Sequence, residues 1–140
     1  MNKKGVTLIE LLIVIAIIGI LAAIAVPAYI GQQRNATRTE AYSNLDSLRL
    51  LEEQYFAENG RYAPNPDATW TYKGTHGTAD NGIEDVLTGF RPGAPSSLNF
   101  TYSLQSSGTG TAFTATATGK SNTRVKNDIF TIDQNNNRNF

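Results

Sequence analysis

Few side chains in this 140-residue chain are placed to do chemistry, and most of them stand alone. Glu10 contrasts with its surroundings: it is a carboxylate inside an apolar run that carries no further charge until Arg34. An ionisable group in such a stretch is expensive, and by default it marks a function. His76, the single histidine, sits among Gly74, Thr75, Gly77 and Thr78 and reads as a solvated loop position. Asp133-x-Asn135-x-Asn137 begins the rhythm of a calcium loop. It lacks the glycine and the distant glutamate, so it reads as a polar tail. Asn35-Ala36-Thr37 and Asn99-Phe100-Thr101 match the N-glycosylation sequon, a pattern short enough to arise by chance. There is no cysteine, which excludes disulfides and thiolate chemistry. No nucleophile elbow, phosphate loop or ligand-spaced cluster appears, so the expected catalytic, cofactor-binding and metal residues are none. The chain reads as a non-enzyme.

Positioning Glu10 is the task of the stretch from residue 3 to residue 30. Lys3, Lys4 and Gly5 precede the apolar run, which is long enough for a helix to cross ~30 Å of hydrocarbon at 1.5 Å per residue. The two lysines place the start of the chain in the cytoplasm and everything after Arg34 outside. Thr7-x-x-Glu10 is a capping box, which gives Glu10 a local role at the helix start. Gly19 lowers helix propensity and Pro27 removes a backbone donor, so a kink and a locally weak, stretchable region are expected over residues 19–27. By residues alone the run is either a plain membrane anchor or a secretory signal peptide with a small-residue site around Ala23-Ile24-Ala25. Under the second reading the remainder is a soluble secreted protein.

Beyond Tyr29 the helical pattern continues. Ala41, Leu45, Leu48, Leu51 and Tyr55 form one apolar stripe, with Arg34, Arg38, Glu40, Asp46, Arg49, Glu52, Glu53 and Glu58 largely off it. Gly60 ends a helix of about fifty residues. Residues 60–97 hold Pro64, Pro66, Pro92 and Pro95 and read as a loop-rich connection. Within it, Thr69 to Tyr72 suit a brief strand, and Asp80-Asn81-Gly82 precedes a short helix carrying Ile83, Val86, Leu87 and Phe90. Leu98, Phe100, Tyr102 and Leu104 alternate with polar residues, as do Phe113, Ala115 and Ala117, then Phe130 and Ile132. Three or four antiparallel strands over residues 98–140, packed on the amphipathic half of the helix, predict an α+β domain. Twelve basic and twelve acidic side chains cancel, so no global pull toward nucleic acid is encoded. In a stack of copies, however, Arg61, Lys73, Arg91, Lys120, Arg124 and Lys126 would line up, which leaves nucleic acid an unsettled partner.

The run Lys4-Gly5-Val6-Thr7-Leu8-Ile9-Glu10, continued through Pro27, resembles the amino-terminal motif of type IV pilins and pseudopilins. The resemblance covers about the first fifth of the chain. It implies a leader of residues 1–5 cut between Gly5 and Val6 by a prepilin peptidase, with N-methylation of Val6. The family usually has Phe after the cleaved glycine, and Val6 departs from that. It further implies the pilin fold, with a filament-core helix over residues 6–30 and an exported domain over residues 31–140 whose helical part ends at residue 59. Glu10 is then expected to neutralise the new α-amino group of an adjacent copy. The implied partners are identical subunits in a helical filament, the inner membrane before assembly, and the pilus assembly machinery. The implied location is the inner membrane for the precursor, as a single-pass protein, and the extracellular filament after assembly. A major type IV pilin fits best. A type II secretion pseudopilin is the alternative, although no Asp-Pro-Trp-Gly-like segment is present.

Overall fold

A computed structural model describes residues 5–64, 68–75 and 82–140. Helix α1 (Leu8–Asn59) is followed by β1 (Thr69–Thr71), α2 (Ile83–Val86), β2 (Phe100–Ser106), β3 (Phe113–Gly119) and β4 (Ile129–Asp133). His76, Pro66, Lys3, Lys4, Asp80 and Asn81 lie outside the described residues. The chain divides into two compact units, Met1–Asn35 and Ala36–Phe140, and α1 contributes to both.

In the first unit the helix is continuous through Gly19 and Pro27. Every described residue from 5 to 32 is exposed, so the apolar side chains of this stretch find no cover among the described residues. Val6 and Leu8 are each 78% exposed and Ile24 is 70% exposed.

The second unit is a helix on a sheet. The four strands lie in the order β1-β2-β3-β4, every neighbouring pair antiparallel. The expected strand at Thr69 to Tyr72 is therefore real and forms one edge, pairing Trp70 with Leu104. Strand β2 alternates strictly, with Phe100, Tyr102, Leu104 and Ser106 buried. Phe113, Ala115 and Ala117 on β3 and Ile132 on β4 continue the same buried face. Ala41, Leu45 and Leu48 of α1 close the core over it, with Leu51 and Tyr55 half-buried alongside. Period 2 in the strands and period 3.6 in the helix thus meet at one apolar layer. One expectation fails here. Glu52, expected off the apolar stripe, is completely buried.

Glycines set two boundaries. Gly60 takes a φ of 69° and donates its N–H to the Phe56 carbonyl at 2.8 Å, which ends α1 in the left-handed conformation that glycine adopts without strain. Gly119 closes β3 where the backbone of Val125 passes so near that a Cβ would sit 1.9 Å from its carbonyl oxygen. Only glycine fits there.

Residues 134–140 fold back along the outer edge of β4. The Asn139 carboxamide accepts from the Thr131 N–H at 2.9 Å and donates to the Ile129 carbonyl at 3.1 Å, taking the place of a peptide group on a neighbouring strand. Phe140 stacks on Tyr42 of α1 with ring centroids 4.5 Å apart and meets Phe130 edge-on. Arg138 pairs with Asp46 at 3.2 Å.

Candidate functional site

The start of α1 adopts the geometry its sequence predicts. The Thr7 N–H donates to Glu10 Oε2 at 2.8 Å, and the Thr7 hydroxyl donates to the same oxygen at 2.7 Å. In return the Glu10 N–H donates to Thr7 Oγ1 at 3.3 Å. A reciprocal pair of this kind satisfies two backbone donors that a helix start otherwise leaves open. One carboxylate oxygen, Oε2, carries both bonds to Thr7. Gly5 and Val6 precede the box and are exposed, and nothing lies within 4 Å of a Cβ built on Gly5 or on Gly19. The candidate residues therefore fall into two groups. Gly5, Val6 and Glu10 are gathered at the helix start, whereas Gly19 and Pro27 lie farther along α1 and touch none of them.

The helix behind this site is long and apolar enough to cross a membrane. Its exposed faces carry leucine, isoleucine, valine and alanine in all directions, the pattern of a helix that is covered by lipid or by other helices.

A family model described as the prokaryotic N-terminal methylation motif matches residues 1–26. A second, described as type IV minor pilin ComP, DNA uptake sequence receptor, matches residues 27–128, most of the chain. The chain belongs to the type IV pilin family. A type IV major pilin protein PilA from Myxococcus xanthus is 50% identical over 62 residues, covering 44% of this chain and 28% of that protein. The type IV major fimbrial protein FimA of Dichelobacter nodosus is 36% identical over 104 residues, 74% of this chain and 65% of the relative. A type II secretion system core protein G from Pectobacterium carotovorum subsp. carotovorum is 38% identical over 61 residues, 44% of this chain and 39% of the relative. The chain spans only about a quarter to a half of the length of several curated relatives that it matches. No solved structure matches it.

Within the pilin domain three carboxylates work in ways that residue type alone did not reveal. Glu40 accepts from the Asn99 N–H at 3.0 Å and from the Asn99 side-chain amide at 2.7 Å, tying α1 to the start of β2. That contact also occupies the asparagine of the second glycosylation sequon. Glu84 is buried and accepts from the backbone N–H groups of Lys73 and Thr75, each at 3.0 Å. Glu52 accepts from the Ala63 N–H at 2.9 Å through Oε2, while its enclosed Oε1 has no partner among the described residues. Burial pushes the Glu52 carboxyl up to about 8, against the lowering effect of the Ala63 bond and with the nearby Glu53 charge adding to the rise. The available signal was position: Glu52 lies four residues beyond Leu48 and so falls on the buried stripe.

The smaller sequence signals resolve as structural. Asp133 accepts from the Asn135 and Asn137 N–H groups at 2.9 and 2.8 Å and from the Asn137 side chain at 2.8 Å. Its oxygens thus organise a turn, and no group of residues able to hold a metal occurs among the described residues. Among the six cations considered for nucleic acid, Lys120 donates its ammonium to the carbonyls of Pro95 and Leu98, the latter at 2.7 Å, and is spent inside the domain. Arg61, Lys73, Arg91, Arg124 and Lys126 are exposed.

Proposed function

We propose that this chain is a structural subunit of a type IV pilus that polymerises through the first half of α1. The observation that carries the reading is the uncovered apolar surface of residues 6–30 on a chain of the pilin family. Burying that surface against copies of the same helix removes a large apolar area from water or lipid contact and needs no catalytic group. In this reading residues 1–5 are a leader removed between Gly5 and Val6, and Val6 becomes the methylated first residue. Before assembly the helix holds the subunit in the inner membrane in a single pass, with its start in the cytoplasm. A peptidase, a methyltransferase and an assembly machinery are its required partners.

Glu10 has two consistent tasks under this proposal. In the membrane it caps its own helix through Thr7. In the filament its second oxygen is available to the α-amino group of a neighbouring copy. Gly19 and Pro27 supply the weak section over which the packed helix can extend.

Shearing filaments from cells and sequencing their main component tests the proposal. The expected product is an abundant mature chain beginning at Val6. A mature chain beginning near Val26, found only in the culture fluid, would restore the signal-peptide reading and remove the filament.

The description of the domain family as a DNA uptake sequence receptor motivates a second reading in which the assembled surface also contacts DNA. Exposed Arg61, Lys73 and Arg91 are the side chains suited to phosphate. Filaments that retain duplex DNA in 50 mM salt and lose it steeply by about 200 mM would support that reading.

A further inference from the structure

The connection between β3 and β4 carries Lys120, whose ammonium is spent inside the domain, and two further cations on a hydrogen-bonded frame. Val125 is wholly buried and pins the middle of the turn. The Gly119 N–H donates to the Asp128 carbonyl at 2.8 Å, and the Asp128 N–H donates to the Val125 carbonyl at 2.9 Å. The Arg38 guanidinium of α1 clamps the Asp128 carboxylate at 2.8 Å. With Val125 turned inward, its neighbours Arg124 and Lys126 are both exposed. Their side chains make no hydrogen bond or ion pair among the described residues.

At the other end of the domain a cleft of about 220 Å³ opens between the last turns of α1 and the α2 region. Leu51, Tyr55 and Val86 give it an apolar wall, and Gln54 and Glu58 line it as polar groups. Glu58 is exposed and shares one hydrogen bond with Gln54, at 3.0 Å, which leaves carboxylate capacity open to solvent. A hydrocarbon wall beside a carboxylate suits a long cationic side chain. The stem lies on the wall, the head reaches the charge, and the Tyr55 ring adds a further attraction.

The two features cannot meet within one molecule. Arg38 holds the turn and Glu58 belongs to the cleft, about twenty residues apart on one continuous helix, or ~30 Å. Complementary surfaces at opposite ends of one rigid body make a heterologous contact, which repeats without closing. We infer that the Arg124–Lys126 turn of one copy docks into the α1–α2 cleft of the next copy along the filament. The inference rests on the filament reading above and assigns the contact that sets adjacent domains in register outside the helical core.

Because the chain has no cysteine, introduced pairs report this contact cleanly. Full-length chains carrying Gln54→Cys with Arg124→Cys should give, on mild oxidation of filaments, a ladder of dimers, trimers and longer oligomers. The double change Arg124→Glu with Lys126→Glu should lower filament yield about tenfold at unchanged membrane level. Adding Glu58→Lys to that pair should recover most of the yield, which a folding defect would not allow. If the wild type forms filaments but no ladder appears and charge reversal leaves the yield unchanged, the docking contact is wrong and the filament reading stands. A ladder that stops at dimers overturns the head-to-tail contact. A folded, membrane-held wild type that never polymerises overturns both.

Discussion

Glu10 and Glu52 are carboxylates of one helix in opposite circumstances. Glu10 is exposed and bonded to Thr7, and its cost arises only when lipid or other helices cover it. Glu10→Gln keeps the shape and much of the capping box while deleting the charge. The processed chain should then accumulate in the membrane while filament yield falls by tenfold or more. An α-amino charge buried without its partner costs ~3–5 kcal/mol at each added subunit. Wild-type yield from the Gln variant, scored on sheared filaments, would reduce Glu10 to a helix cap. Glu52 is already enclosed, with its carboxyl raised from an ordinary 4.5 to about 8. Between those values the folded chain holds a proton that the unfolded chain has released. Stability from this group is therefore full below about pH 4.5, falls as pH rises, and levels off above about 8, a loss of at most about 5 kcal/mol. Thermal melts across that window should show the decline in the wild type and a flatter profile in Glu52→Gln. Glu10 was legible because a charge stands out in an apolar run. Glu52 was not, because its charge argued against the buried position that its spacing indicated.

At the level of elements, alternation identified the buried face of β2 from Phe100 to Leu104 and that of β3, while Ser106, expected in the following turn, ends β2 as a buried residue. The stripe of α1 was readable from Ala41 to Leu48. Those signals are local, since each depends on one segment presenting one face. Contacts between distant segments had no such signature. The two carbonyls bound by Lys120, the Asn99 amide held by Glu40 and the edge contact of Asn139 all depend on how the chain returns to itself. Gly119 belongs to the same class: its sequence context suggested a strand end, while the structure adds the Val125 carbonyl against its Cα. Gly119→Ala should cost ~3 kcal/mol, because backbone rather than a flexible side chain must move to admit the methyl group. The midpoint of urea unfolding reports it. A shift below about 0.5 kcal/mol would mean that the turn yields easily.

For the whole molecule, the division into two units separates the part proposed to associate from the part that holds the core. The described apolar side chains of the first unit are all exposed, whereas the second encloses the aromatic and aliphatic core. Deleting residues 1–33 should leave a soluble α+β monomer, checked by sedimentation and by retention of cooperative unfolding. Continued polymerisation of the shortened chain would place the organising contact outside the helix. The family was legible from residues 4–27, and the layout of the domain followed from periodicity. What the assembled surface binds was not legible, because the exposed cations are scattered through loops with no shared spacing.

The carboxamide of Asn139 has a bearing on how such subunits avoid coagulating. A bare outer strand is adhesive toward any other bare strand, and the filament proposed above would bring many copies together. With its Thr131 donor and Ile129 acceptor already occupied, β4 offers its neighbours little backbone to grip. Under that proposal the occupied edge would favour side-chain contacts between copies over amyloid-like zippering.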